Sequence, residues 1–140
     1  MNVLVAASRA DHPHHAPARA WLEKAVIAAG QGVLLSLQPM VTASFLRLVT
    51  HPKIFLNPTP IAKAIQFLDA LEAAPGVQRA LLGPEWHHFR QLCLDKALRA
   101  NDLPDAWLAA TVIQQGEHLV SFDADFRTLL TPSQFTRLAV

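Results

Sequence analysis

The segment that most constrains the fold lies near the end of the chain. Asn101-Asp102-Leu103-Pro104-Asp105-Ala106-Trp107-Leu108-Ala109-Ala110 reads as a helix over 104–114 with a carboxylate in its first turn. A Gln-Gly turn follows, and then Leu119-Val120-Ser121-Phe122-Asp123-Ala124-Asp125-Phe126, an apolar strand over 118–122 that runs out onto acids. A helix joined to a strand by so short a turn belongs to a parallel α/β arrangement, in which helix starts and strand ends share one rim of the sheet. Such a rim would bring Asp105 and Asp123 within roughly 5–10 Å of each other, where a hard divalent cation finds oxygen ligands.

The rest of the chain keeps the same alternation. Asn2 to Ala7 reads as a buried strand, Pro13 to Ala29 as a helix with a stripe at Ala16, Ala20, Trp21, Ala25 and Ala28, and Val33 to Leu37 as a second strand. Pro39 to Val49 is a helix opened by its proline. Thr59 is the expected N-cap of a helix running from Pro60 to about Ala73, broken by Pro75-Gly76. Val77 to Leu82 is a strand, Glu85 to Arg99 a helix and Phe135 to Val140 the last strand. Together these predict an α/β/α sandwich, a mostly parallel sheet of about five strands flanked by helices with right-handed crossovers. With 140 residues and no composition break or linker, residues 1–140 read as a single domain.

Composition removes several classes of function. No apolar run reaches the roughly 18–20 residues that span a bilayer, and the apolar start lacks the basic residues of a signal peptide. The single cysteine, Cys93, can form no internal disulfide, which suits a reducing cytosol; between Leu92 and Leu94 it reads as an inert core thiol. A formal charge of +1 gives no strong field for nucleic acid, although an enzyme that holds RNA briefly needs none.

Each acid has a structural reading beside the chemical one. An acid in a first helical turn complements the helix dipole, which is an alternative account of Asp105, and capping is the better account of Asp102. Asp123 is also a natural turn residue, and Asp125 could cap a short segment at Phe126. Asp11-His12-Pro13-His14-His15 resembles a metal site only at first sight. His14 and His15 point about 100° apart on a helix, and no cysteine or fourth ligand accompanies His12 and His15. The run reads as a helix lead-in capped by Asp11 or His12. Trp21, Trp86 and Trp107 all fall on helices and read as packing residues. No glycine-rich phosphate loop or serine elbow is present.

The ordered set of motifs resembles the PIN-domain family, and within it the VapC-type toxins of bacterial toxin–antitoxin pairs. The resemblance rests on Asn2-Val3-Leu4-Val5-Ala6-Ala7 with Asp11 to His15, on Ser44-Phe45-Leu46-Arg47-Leu48-Val49-Thr50-His51-Pro52, on Pro104 to Ala110, and on Val120 to Phe126. It implies a Mg²⁺- or Mn²⁺-dependent endoribonuclease of the bacterial cytoplasm. Asp105 and Asp123 would be metal ligands and Asp125 an assisting acid. Asn2 would fix the loop geometry of the first strand, and Arg47 would lie where RNA phosphate passes, unless it is only a surface cation. The implied partners are an RNA substrate, a cognate antitoxin of the VapB type and a second copy in a homodimer. The antitoxin would occupy a groove near Trp21, Phe45 and Leu48.

Two departures from the family pattern carry consequences. The family's first acid precedes the residue that Asn2 matches by two positions, so it would fall just before residue 1. We expect a longer native form to carry it, and N-terminal peptide mapping that finds Met1 as the start would end that expectation. Ser44 stands where the family often has Glu, and a hydroxyl supplies no charge to a cation. Both losses predict weak metal affinity and low or absent nuclease activity for the 140-residue form. A non-catalytic module that binds antitoxin or nucleic acid without metal is the alternative.

Overall fold

The computed structural model describes residues 3–80, 83–98 and 102–139. They form two compact units, the first made of residues 3–80 and the second of the described residues from 83 to 139.

The first unit is α1 (Val3–Ser8), α2 (His15–Gly30), β1 (Leu35–Leu37), α3 (Pro39–Val49), α4 (Ile61–Ala73) and β2 (Val77–Arg79). α1 corrects the expected first strand. Val3, Leu4, Val5, Ala6 and Ala7 are all buried, so the helix has no polar face and leaves no 3.6-residue signature in the sequence. Asn2 lies outside the described residues. α1 packs on α2 and α3. Its end is tied by the His15 Nδ1–H, which donates to the Ala6 carbonyl at 2.9 Å. Next to it His12 is buried and its Nδ1 accepts the His14 backbone N–H at 3.0 Å; His14, not Asp11 or His12, holds the N-cap position of α2, and no side chain caps that helix. Burial and the neighbouring His14 hold the His12 ring below the usual histidine range. Asp11 instead takes two bonds from the buried Arg9 guanidinium, which also donates to Thr59 Oγ1 and lies 3.9 Å from the centre of the Phe55 ring.

That bond corrects another expectation. Pro60, not Thr59, holds the N-cap position of α4, and no side chain caps that helix. The Thr59 backbone N–H is taken by the Val49 carbonyl, which closes the loop after α3. α3 and α4 pack through Phe45 and Phe67, with ring centres 5.4 Å apart. Phe45 is fully buried and therefore cannot line an exposed groove, contrary to expectation. The helix of α4 stops at Pro75-Gly76, where Gly76 has φ +81° and lies against the Ala29 carbonyl at the end of α2. From there β2 runs parallel to β1, Leu35 opposite Val77 and Leu37 opposite Arg79. Leu81 and Leu82, part of the expected strand, lie outside the described residues.

The second unit is α5 (Trp86–Lys96), α6 (Asp102–Gln115), β3 (Leu119–Ser121), a 3-10 helix (Ala124–Thr128) and β4 (Phe135–Arg137). α5 packs on α6. The core is Ala109, Val112, Phe126, Leu129, Leu130 and Phe135, with Leu92, Leu98, Leu108, Ile113 and Leu119 against it. Fully burying one such phenylalanine contributes about 2–3 kcal/mol. No residue of α5 is buried, so Cys93 is half-buried rather than a core thiol, and Trp86 is 63% exposed rather than packed.

β3 and β4 are parallel, Leu119 opposite Phe135 and Ser121 opposite Arg137. Parallel pairing was expected, but among the described residues the strands form two separate two-stranded sheets, not one sheet of about five. Each strand has three residues, and residues 3–7 of the expected first strand are helical. Among the described residues no helix is long and apolar enough to cross a membrane.

Candidate active site

Asp105 sits in the first turn of α6, which begins at Asp102. Its backbone is fixed by its neighbours, because Ala106, Ala109 and Ala110 are completely buried and small enough to let this face pack closely. The position that would cap α6 is outside the described residues, and Asp102 is the first helical residue rather than the cap.

Asp123 follows β3 after Phe122. Its backbone N–H donates to Ser121 Oγ at 3.1 Å, and its own Oδ1 accepts the Asp125 N–H at 2.8 Å. Asp123 is therefore the N-cap of the 3-10 helix, and Asp125, expected as a cap, lies in that helix's first turn. The capping bond ties one carboxylate oxygen of Asp123 to the backbone.

Asp105 feels the other two acids. The Asp105 carboxyl is held above the usual carboxylate range, first by burial, then by the Asp123 charge, with Asp125 and Asp102 adding to it. A half-buried carboxylate beside like charges is an environment that favours a bound cation. Among the described residues, however, no three His, Cys, Asp or Glu side chains stand where they could hold one ion together. Two carboxylates with water completing the shell suit Mg²⁺, which sheds water reluctantly and is often held by one or two carboxylates. The donor set fits a hard cation in kind and is sparse in number.

Two more residues singled out from sequence belong to the first unit. Ser44 and Arg47 are on α3 of the first unit, Ser44 half-buried and Arg47 exposed in the last turn. Asn2 is outside the described residues.

Two features of the second unit escaped the sequence reading. Glu85 is only 4% exposed and holds α5 to α6: its Oε1 accepts the Trp107 indole N–H at 2.8 Å and its Oε2 accepts the Gly83 N–H. Burial pushes the Glu85 carboxyl up, but the Trp107 bond and the backbone N–H groups of Glu85 and Gly83 outweigh it and leave it below the usual range. An acid at a helix start looks like a dipole partner in sequence, so nothing there marked it as a buried tie. The second feature is a pair of arginines, Arg127 and Arg137, that both line an open cavity. They are ten residues apart in sequence, and only the return of the chain through β4 brings them together.

The family model for the PIN domain matches residues 1–129. The chain belongs to the PIN domain family. It is 40% identical over 127 residues to VapC ribonuclease Mb2897 of Mycobacterium bovis, covering 90% of this chain and 84% of the relative. Ribonuclease VapC25 of Mycobacterium tuberculosis is 39% identical over 130 residues, with 90% and 87% covered. Ribonuclease VapC31 of the same species is 40% identical over 127 residues, with 89% and 87% covered. The PIN match spans both acid-bearing elements, α6 and the turn after β3.

Proposed function

We propose that this PIN protein is a divalent-metal-dependent endoribonuclease, the toxin of a toxin–antitoxin pair acting in the bacterial cytoplasm. Residues 1–140 would work as a single PIN-like domain. The observation that carries the reading is the strained charge of Asp105, raised by burial and by Asp123 in a chain whose relatives are named ribonucleases.

Asp105 and Asp123 would hold Mg²⁺ or Mn²⁺, with Asp125 turned toward the same site through water. The bound cation would supply a nucleophilic water near neutral pH and charge stabilisation for the leaving oxygen. The chain's own part is positioning. α6 aims Asp105, and the Asp125 N–H pins one oxygen of Asp123. Asp105 would ligate as its carboxylate, and a cation beside it would offset the burial and like charge that raise its carboxyl. Ser44 would hold a water, Asn2 would order the loop beside it, and Arg47 would meet an RNA phosphate. A VapB-type antitoxin and a second copy of the chain are the proposed partners.

The test is cleavage of a mixed RNA pool with Mn²⁺ or Mg²⁺, with EDTA as the control. We expect slow metal-dependent cleavage, and no cleavage together with no saturable Mn²⁺ binding would sink the enzymatic reading. The absence of a three-ligand cluster among the described residues favours the alternative, a binding module that has lost its metal. Calorimetric Mn²⁺ titration separates the two: saturable heat supports the enzyme, and none supports the module.

A further inference from the structure

Arg127, Leu130, Thr131, Pro132, Phe135 and Arg137 line an open cavity of about 360 Å³. That is within the range of small-ligand sites. Its floor is the edge of the core, Leu130 and Phe135, and exposed Pro132 adds an apolar shoulder. Its rim is ordered. The Gln134 N–H donates to the Thr131 carbonyl at 2.9 Å, the Thr131 N–H donates to Gln134 Oε1 at 3.0 Å, and the Thr131 and Ser133 hydroxyls lie 2.9 Å apart.

Both cations are available. Among the described residues neither Arg127 nor Arg137 pairs with a carboxylate, whereas Arg9, Arg19 and Arg79 all do. Arg137 donates through Nε to the Phe122 carbonyl at 3.1 Å, which aims its terminal nitrogens without consuming them. Phe122 immediately precedes Asp123, and Arg127 is in the last turn of the 3-10 helix that Asp123 caps. Two guanidinium groups over an apolar floor, anchored to the peptide beside a proposed metal ligand, have the chemistry of a nucleotide: anion at the rim, ring on the floor.

We infer that this cavity is an RNA subsite that takes a nucleotide next to the scissile phosphate, its phosphate between Arg127 and Arg137 and its base against Pro132, Leu130 and Phe135. The placement relative to cleavage rests on the ribonuclease reading; the binding itself does not. An acidic peptide segment is the other polyanion such a rim could meet, but it has no ring for the apolar floor.

The experiment needs no cleavage. A labelled ten-nucleotide single-stranded RNA is titrated with the full chain in EDTA at several salt concentrations. Arg127→Ala and Arg137→Ala should each weaken binding about 5–10-fold and reduce the salt slope by about 0.7. Lys24→Ala, at an exposed position of α2, should cost less than about twofold. Uridine 5′-monophosphate should shift the Leu130 and Thr131 methyl signals of the wild-type chain more than inorganic phosphate does, which keeps the inference testable if an arginine variant misfolds. Arginine losses no larger than that of Lys24→Ala overturn it. So does an equal response to inorganic phosphate, or displacement of the RNA by a ten-residue polyglutamate as effectively as by unlabelled RNA. If the RNA binds as expected but the chain neither cuts RNA nor binds Mn²⁺ saturably, the ribonuclease reading fails and the nucleotide site stands.

Discussion

Asp105 is the residue on which stability and the proposed chemistry oppose each other. Its carboxyl titrates above the usual range in the folded chain, chiefly through burial and the Asp123 charge. The folded state therefore holds the proton more tightly than the unfolded one. The stabilisation that this gives is complete below the unfolded carboxylate range and is lost as pH rises through the raised value. At pH 7 the ionised group is a cost. Asp105→Asn removes that cost, and after discounting for solvent screening we expect the melting temperature at pH 7 to rise by about 3 °C. The gain should shrink toward zero as melts are repeated down to about pH 4. The same variant should lose at least about 100-fold in RNA cleavage, since an amide supplies no charge to a cation. A variant that melts lower than the parent at pH 7 would mean that the charge is already compensated. Asp123 could be singled out from sequence because acids at strand ends are conspicuous. Glu85 could not, because nothing local separates a buried acid from an exposed one.

At the scale of elements, the geometry depends on a few ties. Glu85 joins the start of α5 to α6 through the Trp107 indole, two residues beyond Asp105. Trp107→Phe keeps the ring and deletes the donor, leaving a buried carboxylate oxygen short of a partner. We expect a loss of about 1–3 kcal/mol, read as a lower denaturant midpoint at unchanged slope. In the other unit, a Cβ on Gly76 would lie 2.0 Å from the Ala29 carbonyl oxygen, a backbone atom that no side-chain rotation can move away. The residue also needs a positive φ. Gly76→Ala should therefore cost about 3 kcal/mol or more in the same unfolding measurement, with a midpoint shift below about 1 kcal/mol refuting the contact. Helix limits such as Pro39–Val49 were legible because proline and glycine act locally. α1 was not, because a short helix buried all round and a buried strand look alike in sequence.

For the whole molecule, the proposed cation is also a ligand of the folded state alone. Mn²⁺ at ten times its Kd should stabilise the wild-type chain by about 1.4 kcal/mol, a rise of about 4 °C in melting temperature. EDTA should reverse the shift, and Asp105→Asn should abolish it. An equal shift in that variant would move the cation away from Asp105. Because the formal charge is only +1, affinity for RNA cannot come from net charge. It has to come from local groups such as Arg127 and Arg137, which sum to nothing unusual in composition.

The sequence by itself determined the alternation of helices with short parallel strands, the helix ends set by proline and glycine, the family resemblance, and the acids at the start of α6 and the end of β3. These depend on local steric rules and on residue order, which the chain carries explicitly. Tertiary structure decided that α1 is a helix, that the Asp123 and Asp125 charges reach Asp105, that Glu85 is a buried tie, and that Arg127 and Arg137 face one cavity. Burial, electrostatic coupling and the company a side chain keeps are properties of position in space, and distance along the chain does not encode them.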